Sequence, residues 1–391
     1  MDVFRSMGLY VGSVVITQYA GQPSVCAFIK RLTALGVRTY RHYPIPGYPH
    51  DIARIVCEEG LGKNDYIETS RSLVVITAPG PGSGKMATCL SQLYHDHKRG
   101  ISAGYAKYET FPIWNLPLKH PVNMAYEAAT ADLQDVNMID PFHLEAYGVT
   151  TVNYNRDVEI YPVLAAIFEG IYGYCPYKSP TDMGVNMAGN CICDDEVCCE
   201  ASRQEIIRRY YQSLNRLALD EASKQEVYTL ELLMKQAKVS VNDRRVVTVA
   251  KQVAEERKCA VIALELADGR IVTGKTTDLL GPASAVLLNA IKELGGIADE
   301  MHLISPTYIN PIQNLKTRYL GSSNPRLHMD EVLIALSMCA ATDSLAKLAL
   351  EKLPELKGCQ AHSTVMLTEG DFKVFKKLGV ELTNDPIYET K

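Results

Sequence analysis

Several things are missing from this 391-residue chain, and each omission narrows what it can do. No apolar run approaches the length of a bilayer-spanning helix, so no membrane partner is expected. Positive charge is not in excess: 40 Lys+Arg stand against 45 Asp+Glu, a formal net charge of −5. That balance argues against a general nucleic-acid binder. No signal-peptide pattern opens the chain, since Met1–Arg5 leads straight into globular-looking sequence. Cysteine lacks order: eleven residues, an odd number at irregular spacing, read as the reduced thiols of a cytoplasmic protein. Internal repeats and low-complexity tracts are absent. Tryptophan is down to Trp114, in a proline-flanked loop where ligand stacking and simple packing are both open.

What is present centres on Leu73–Thr88, L-V-V-I-T-A-P-G-P-G-S-G-K-M-A-T. The β-rich run Leu73–Ile76 reads as a strand that stops at a glycine-rich loop, and Met86–His97 reads as the helix that follows. Glycines let successive amide groups turn inward, and a helix start adds free N–H groups and its positive dipole end. With the Lys85 ammonium these form a cradle for a phosphate or another oxyanion. The usual P-loop has Gly, four residues, then Gly-Lys-Ser/Thr. Here Pro79 holds the first glycine position and Met86 replaces the hydroxyl residue that would hold Mg²⁺. The binding set is therefore Gly80, Gly82, Ser83, Gly84 and Lys85, with Ser83 or Thr88 as the metal-facing hydroxyl. The plain alternative is a tight strand-to-helix turn with an exposed lysine.

The expected fold is α/β. Val11–Thr17, Ser24–Leu35 and Val37–Tyr43 read as a strand–helix–strand unit of a parallel sheet. Ser102–Thr110 reads as a further strand carrying Lys107 and Glu109 toward its C-terminal end, where ligands gather in such sheets. Helices are expected over Met124–Leu133 and Glu159–Tyr172, then over Glu200–Leu219 and Lys224–Ala237 as a connector. The pattern restarts near Val246 with a helix to Glu256. The strands Ala260–Leu266 and Arg270–Lys275 flank A-D-G-R, a hairpin signal. A helix Ala283–Leu294, a strand Glu300–Ile304, a long helix Met329–Leu350 and the Ser363–Leu367, Glu369–Leu378 and Val380–Asn384 series complete a second α/β domain. These readings place a P-loop-like domain at 1–175, a loop and helical connector at 176–243 and a C-terminal domain at 244–391.

Further polar residues cluster on loops and element ends. Asp140 reads either as the acid that orients Mg²⁺ or water, or as an Asp-Pro turn. His143 and Glu145 read as a base and its partner or as a structural pair. Arg156 and Lys107 read as a clamp on a second phosphate or carboxylate, with salt bridges to Asp157 or Glu109 as the rival. Cys191, Cys193, Cys198 and Cys199 carry acidic residues between them, but C-x-C-x₄-C-C is not a standard metal spacing, so no zinc is expected.

The stretches L-Y-V-G-S-V-V-I-T-Q-Y, T-A-P-G-P-G-S-G-K-M-A-T-C-L-S-Q-L-Y, E-T-F-P-I-W-N-L-P-L-K-H-P-V-N and D-P-F-H-L-E-A-Y-G resemble a bacterial family catalogued as a domain of unknown function. The resemblance covers essentially the whole chain. It implies a P-loop-type α/β domain, a helical segment and a C-terminal domain similar in topology to cytidine deaminases. It also implies a further N-terminal segment before Met7, so that the chain opens inside its domain. Some family members carry the label ATP-dependent zinc protease, but no H-E-x-x-H occurs here. The deaminase zinc ligands are missing too: Gly281-Pro282-Ala283-Ser284 and Asn310-Pro311-Ile312-Gln313 stand where they would fall. A narrower likeness is to ligases of the dethiobiotin synthetase type, in which a G-K loop is followed by a lysine-bearing strand, as Lys107 would be here.

Three readings follow. The first is an ATP- and Mg²⁺-using phosphoryl-transfer or ligase-type enzyme, with Lys85, Asp140, His143 and Arg156 at the chemistry. The second is a non-catalytic module for a phosphorylated small molecule or nucleotide. The third is a structural homo-oligomer with a vestigial loop.

Overall fold

The computed structural model describes residues 1–80, 82–108, 112–184 and 186–389. The protein is mixed α/β, with numerous helices and, among the described residues, three small sheets. It divides into two compact units, neither continuous in sequence. Met1–Leu118 joins Val136–Cys191 in the first, and Lys119–Asp135 joins the chain from Ile192 onward in the second. The sequence pattern, with its first domain at 1–175, assigns 119–135 to the loop domain. Its apolar face packs elsewhere: Met124, Ala125 and Ala128 bury against Ile206, Ile207, Leu230 and Leu233 of the Asp195–Ala218 and Lys224–Ala237 helices.

In the first unit, β1 (Ser13–Ile16) and β2 (Arg38–Arg41) pair in parallel through the Pro23–Ala34 helix, as the strand–helix–strand pattern predicts. β3 (Asn137–Ile139) and β4 (Val152–Tyr154) pair antiparallel. The core gathers Leu90, Leu93 and Tyr94 of the Lys85–Lys98 helix against Leu164, Ile167 and Phe168 of the Asn155–Tyr172 helix. Two expected strands are not found among the described residues. Leu73–Ile76 pairs with nothing among the described residues, and Leu73, Val74 and Val75 are 80%, 50% and 78% exposed. β-propensity becomes a strand only where a neighbouring edge accepts its hydrogen bonds and a core accepts one face. Ser102–Thr110 contributes a single bridge, Lys107 to Gly184, and its Glu109 and Thr110 lie outside the described residues.

The second unit holds a four-stranded sheet in the order β6-β5-β7-β8, from β5 (Val261–Glu265), β6 (Ile271–Lys275), β7 (Gln360–Ser363) and β8 (Glu381–Asn384). β5 runs antiparallel to β6 and β7, while β7 and β8 are parallel. The hairpin forms at A-D-G-R, with Gly269 at φ +83°. Gly274 of β6 lets the Pro282–Gly295 helix lie directly on the strand, since a Cβ there would stand 2.0 Å from the Val286 amide nitrogen. Two expectations are corrected here. Glu300–Ile304 is not a strand, although Leu303 and Ile304 are buried: their apolar pattern reported burial, not pairing. The long helix is two, Met329–Cys339 and Ser344–Glu351. Asp343 ends the run by accepting from the Leu345 and Ala346 amides at 2.8 and 3.3 Å, starting a new helix as its N-cap.

Candidate functional site

The glycine loop keeps its backbone donors open. Gly82 and Gly84 have φ of +70° and +85°, conformations that turn successive amides to one side. Gly84 is the N-cap of the Lys85–Lys98 helix and supplies no capping side chain. Among the described residues, the amides of Gly82, Ser83, Gly84 and Lys85 donate to no protein acceptor. Ser83 Oγ donates to Gly80 O at 2.6 Å. Lys85 Nζ donates to the same carbonyl at 2.8 Å and to Ser83 Oγ at 3.3 Å. The ammonium thus folds back over its own loop. Thr17, just past β1, braces the turn by donating from Oγ1 to Ser83 O at 3.1 Å. A Cβ on Gly84 would come within 2.9 Å of Thr17 Cγ2. Of the two hydroxyls considered for metal, Ser83 lies at the lysine, while Thr88 is buried in the helix.

Asp140 sits in a different setting. It is fully buried at the end of β3 and caps the Pro141–Tyr147 helix, accepting at Oδ1 from the Phe142 and His143 amides, both at 3.0 Å. Oδ2 accepts from the Thr181 amide at 3.2 Å and the Thr181 hydroxyl at 2.6 Å. The carboxylate therefore ties one helix start to the Pro180–Met183 turn, and its acceptor capacity is committed to that task. His143 lies next to it. Its Nδ1 is 2.9 Å from Ser179 Oγ and 3.6 Å from Asp182 Oδ1. A serine, a histidine and an aspartate thus meet, but both partners face the same ring nitrogen. A charge-relay arrangement needs them on opposite ones. Asp182 also accepts from Tyr147 OH and the Lys178 amide, and Ser179 accepts from the Asp182 amide as the cap of its own turn. The hydrogen bond to Asp182 pushes the Tyr147 phenol above its ordinary value. Glu145, the partner considered for His143, points to solvent instead.

Lys107 and Arg156 do converge, on Tyr154 of β4. Their cationic centres lie 4.8 and 5.4 Å from its ring centroid. Lys107 also bonds the Tyr154 hydroxyl and pairs with the largely buried Asp157. Trp114 packs its ring against Gly184, where a Cβ would fall 2.2 Å from the indole. The structure thus brings the expected polar residues together as three separate sets: Lys85 with Ser83 and Gly80, Asp140 with Thr181, and Lys107 with Asp157 and Arg156 about Tyr154.

Family models match both parts of the chain: "Domain of unknown function DUF1846, N-terminal" over residues 1–238 and the corresponding C-terminal domain over residues 242–391. The chain belongs to the DUF1846 family. A UPF0371 protein of Streptococcus uberis is 59% identical over 389 residues, covering 100% of this chain and 79% of the relative. UPF0371 proteins of Streptococcus pyogenes and Streptococcus equi are 58% and 57% identical over the same span. Among the described residues of this DUF1846 chain, no helix is long and apolar enough to cross a membrane.

Several residues that shape these sets were not singled out from sequence. Thr17 braces the loop, Thr181 fills the Asp140 carboxylate, and Ser179 holds His143. Each stands tens of residues from its partner, and a lone hydroxyl carries no spacing signal. The candidate metal ligands likewise come from distant positions. Among the described residues the group that could hold an ion is His120, Asp195 and Cys199, and the four cysteines considered together do not form such a group.

Proposed function

We propose that the protein binds the phosphate group of a small molecule or nucleotide in the Gly80–Lys85 loop. The single supporting observation is the loop's unspent donors: among the described residues, the amides of Gly82, Ser83, Gly84 and Lys85 have no protein acceptor, and an ammonium and a hydroxyl stand beside them. An arriving phosphate accepts from those amides, and Lys85 moves from the Gly80 carbonyl to the anion, exchanging a neutral acceptor for a charged one. The ammonium then meets an opposite charge instead of a carbonyl dipole, which adds a Coulombic attraction to the hydrogen bond. In this reading Ser83, whose hydroxyl lies beside Lys85, would meet a phosphate-bound Mg²⁺.

Asp140 and His143 are bound up in holding their own turn, so this reading gives them a positioning role and asks no proton transfer of them. The reading is thereby one of binding, with phosphoryl transfer left to the turnover test. Titration of the full chain with inorganic phosphate and with ATP–Mg²⁺, followed calorimetrically, is expected to give one saturable site. Lys85→Ala is expected to weaken it at least about tenfold, or 1.4 kcal/mol. A parallel assay for ADP release separates binding from catalysis. Absence of any saturable phosphate or ATP binding would overturn the proposal.

A further inference from the structure

Within the second unit, His120, Asp195 and Cys199 face one another. His120 is the N-cap of the Pro121–Ala129 helix, and Asp195 and Cys199 lie four apart, hence on one face, of the Asp195–Ala218 helix. Both helices are fixed by the core of Met124, Ala125, Ile206 and Ile207, so the three side chains are presented from rigid elements. His120 Nε2 lies 2.9 Å from Asp195 Oδ1. Cys199 Sγ lies 3.7 Å from His120 Nε2 and 3.7 Å from Asp195 Oδ2. A tetrahedral zinc ion with one nitrogen, one oxygen and one sulfur ligand sets these edges at about 3.3 Å and about 3.5 Å. Asp195 turns Oδ1 to His120 and Oδ2 to Cys199, and one ligand atom from each of the three residues lies within 4.8 Å of the other two, close enough for a modest side-chain adjustment to bring them onto one ion.

We propose that His120, Asp195 and Cys199 form a binding site for one zinc-class divalent ion, with the fourth position open to solvent on the Asp195 side. The donor set suits that metal class. Thiolate and imidazole favour zinc over magnesium or calcium, and three protein ligands plus an exchangeable position is the pattern of sites that keep a water. Cys199 and His120 form the sheltered side, whereas Asp195 is largely exposed. The ion would join the start of one helix to the start of the other.

The rival occupant of this space is a set of protons. His120 Nδ1 accepts from the Val122 amide at 3.3 Å, which leaves the ring proton on Nε2 to donate to Asp195. A metal on Nε2 moves that proton to Nδ1 and gives up the capping bond. That bond is long, and one helix cap is a small loss beside a three-ligand zinc site. Burial, followed by the nearby Asp195 charge, pushes the Cys199 thiol up, so metal entry must release its proton.

The test is a Co²⁺ titration of the reduced 391-residue chain. One equivalent is expected to produce a sulfur-to-cobalt charge-transfer band with proton release, and Zn²⁺ is expected to displace it. Cys199→Ala should abolish the band. His120→Asn keeps an N-cap acceptor, so the helix start is retained and folding can be checked by circular dichroism; it should weaken Co²⁺ at least tenfold. Substituting Cys191, Cys193 and Cys198 by serine should leave the band unchanged. No band in the unsubstituted chain, or a band that survives Cys199→Ala, overturns the proposal.

Discussion

Two polar constellations in the first unit both look functional in sequence, and they differ in what their donors and acceptors are doing. The Asp140 set is saturated: one buried carboxylate accepts four hydrogen bonds, and His143, Ser179 and Asp182 are engaged with one another. The glycine loop is open: among the described residues the amides of Gly82, Ser83, Gly84 and Lys85 have no protein acceptor, and Lys85 rests on a replaceable carbonyl. Polar residues that satisfy each other hold a fold together, and polar groups left unpaired at a surface are available to a ligand. The residue types alone do not separate the two cases, because aspartate and histidine serve both.

The contrast can be broken most severely at Asp140. Asp140→Ala strands the Phe142, His143 and Thr181 donors, at an expected cost of about 3 kcal/mol by urea denaturation. Phosphate affinity measured on the remaining folded protein should stay within about twofold, or 0.4 kcal/mol. A stable variant that has lost phosphate binding would reverse the assignment of the two sets.

Gly84→Ala is the next largest. A side chain at φ +85°, with its Cβ 2.9 Å from Thr17, distorts the turn. The expected loss is about 1–2 kcal/mol of stability, together with weaker phosphate binding. Unchanged binding in this variant would mean that the loop geometry is irrelevant to the anion. Lys85→Ala sharpens the comparison from the other side. The exposed lysine should change stability by no more than about 0.5 kcal/mol while removing most of the affinity.

The smallest effect lies in a satisfied pair of the second unit, His328 and Asp371, 3.0 Å apart. The hydrogen bond that His328 donates to Asp371 raises the imidazole above its usual 6.5. Burial pushes the Asp371 carboxyl upward, but bonds from His328, the Met329 amide and Thr368 outweigh it and hold the group below its usual 3.8. The raised histidine contributes stability that is full below 6.5 and is lost as pH rises through its folded value. The depressed aspartate contributes stability that is full above 3.8 and is lost as pH falls through its own. The pair therefore supports the fold best between those two values. Urea midpoints at about pH 5 and about pH 8 should differ less in Asp371→Asn than in the unsubstituted chain.

Local pattern carried much of the architecture. The parallel β1–β2 unit, the Lys85–Lys98 helix, the β5–β6 hairpin and the two helices after Asp195 are all readable from apolar spacing and turn residues. Those signals are made of neighbours in sequence, and short-range sterics and periodicity suffice to produce them. Leu73–Ile76 was misread because its β-branched residues carry a preference for pairing but no information on whether a partner edge exists. Glu300–Ile304 was misread because burial and strand pairing leave the same apolar trace.

The glycines, the serine and the lysine of the loop are written in the chain, and so is the chemical reason for proposing an oxyanion there. Tertiary structure alone decided that Thr17 would brace that loop, that Thr181 would fill the Asp140 carboxylate, and that 119–135 would pack with the helices after Ile192. It also decided that His120 would meet Asp195 and Cys199. Each of these joins residues far apart in sequence, and such a meeting depends on how whole apolar faces bury together, a property of the packed core that no single stretch of chain contains.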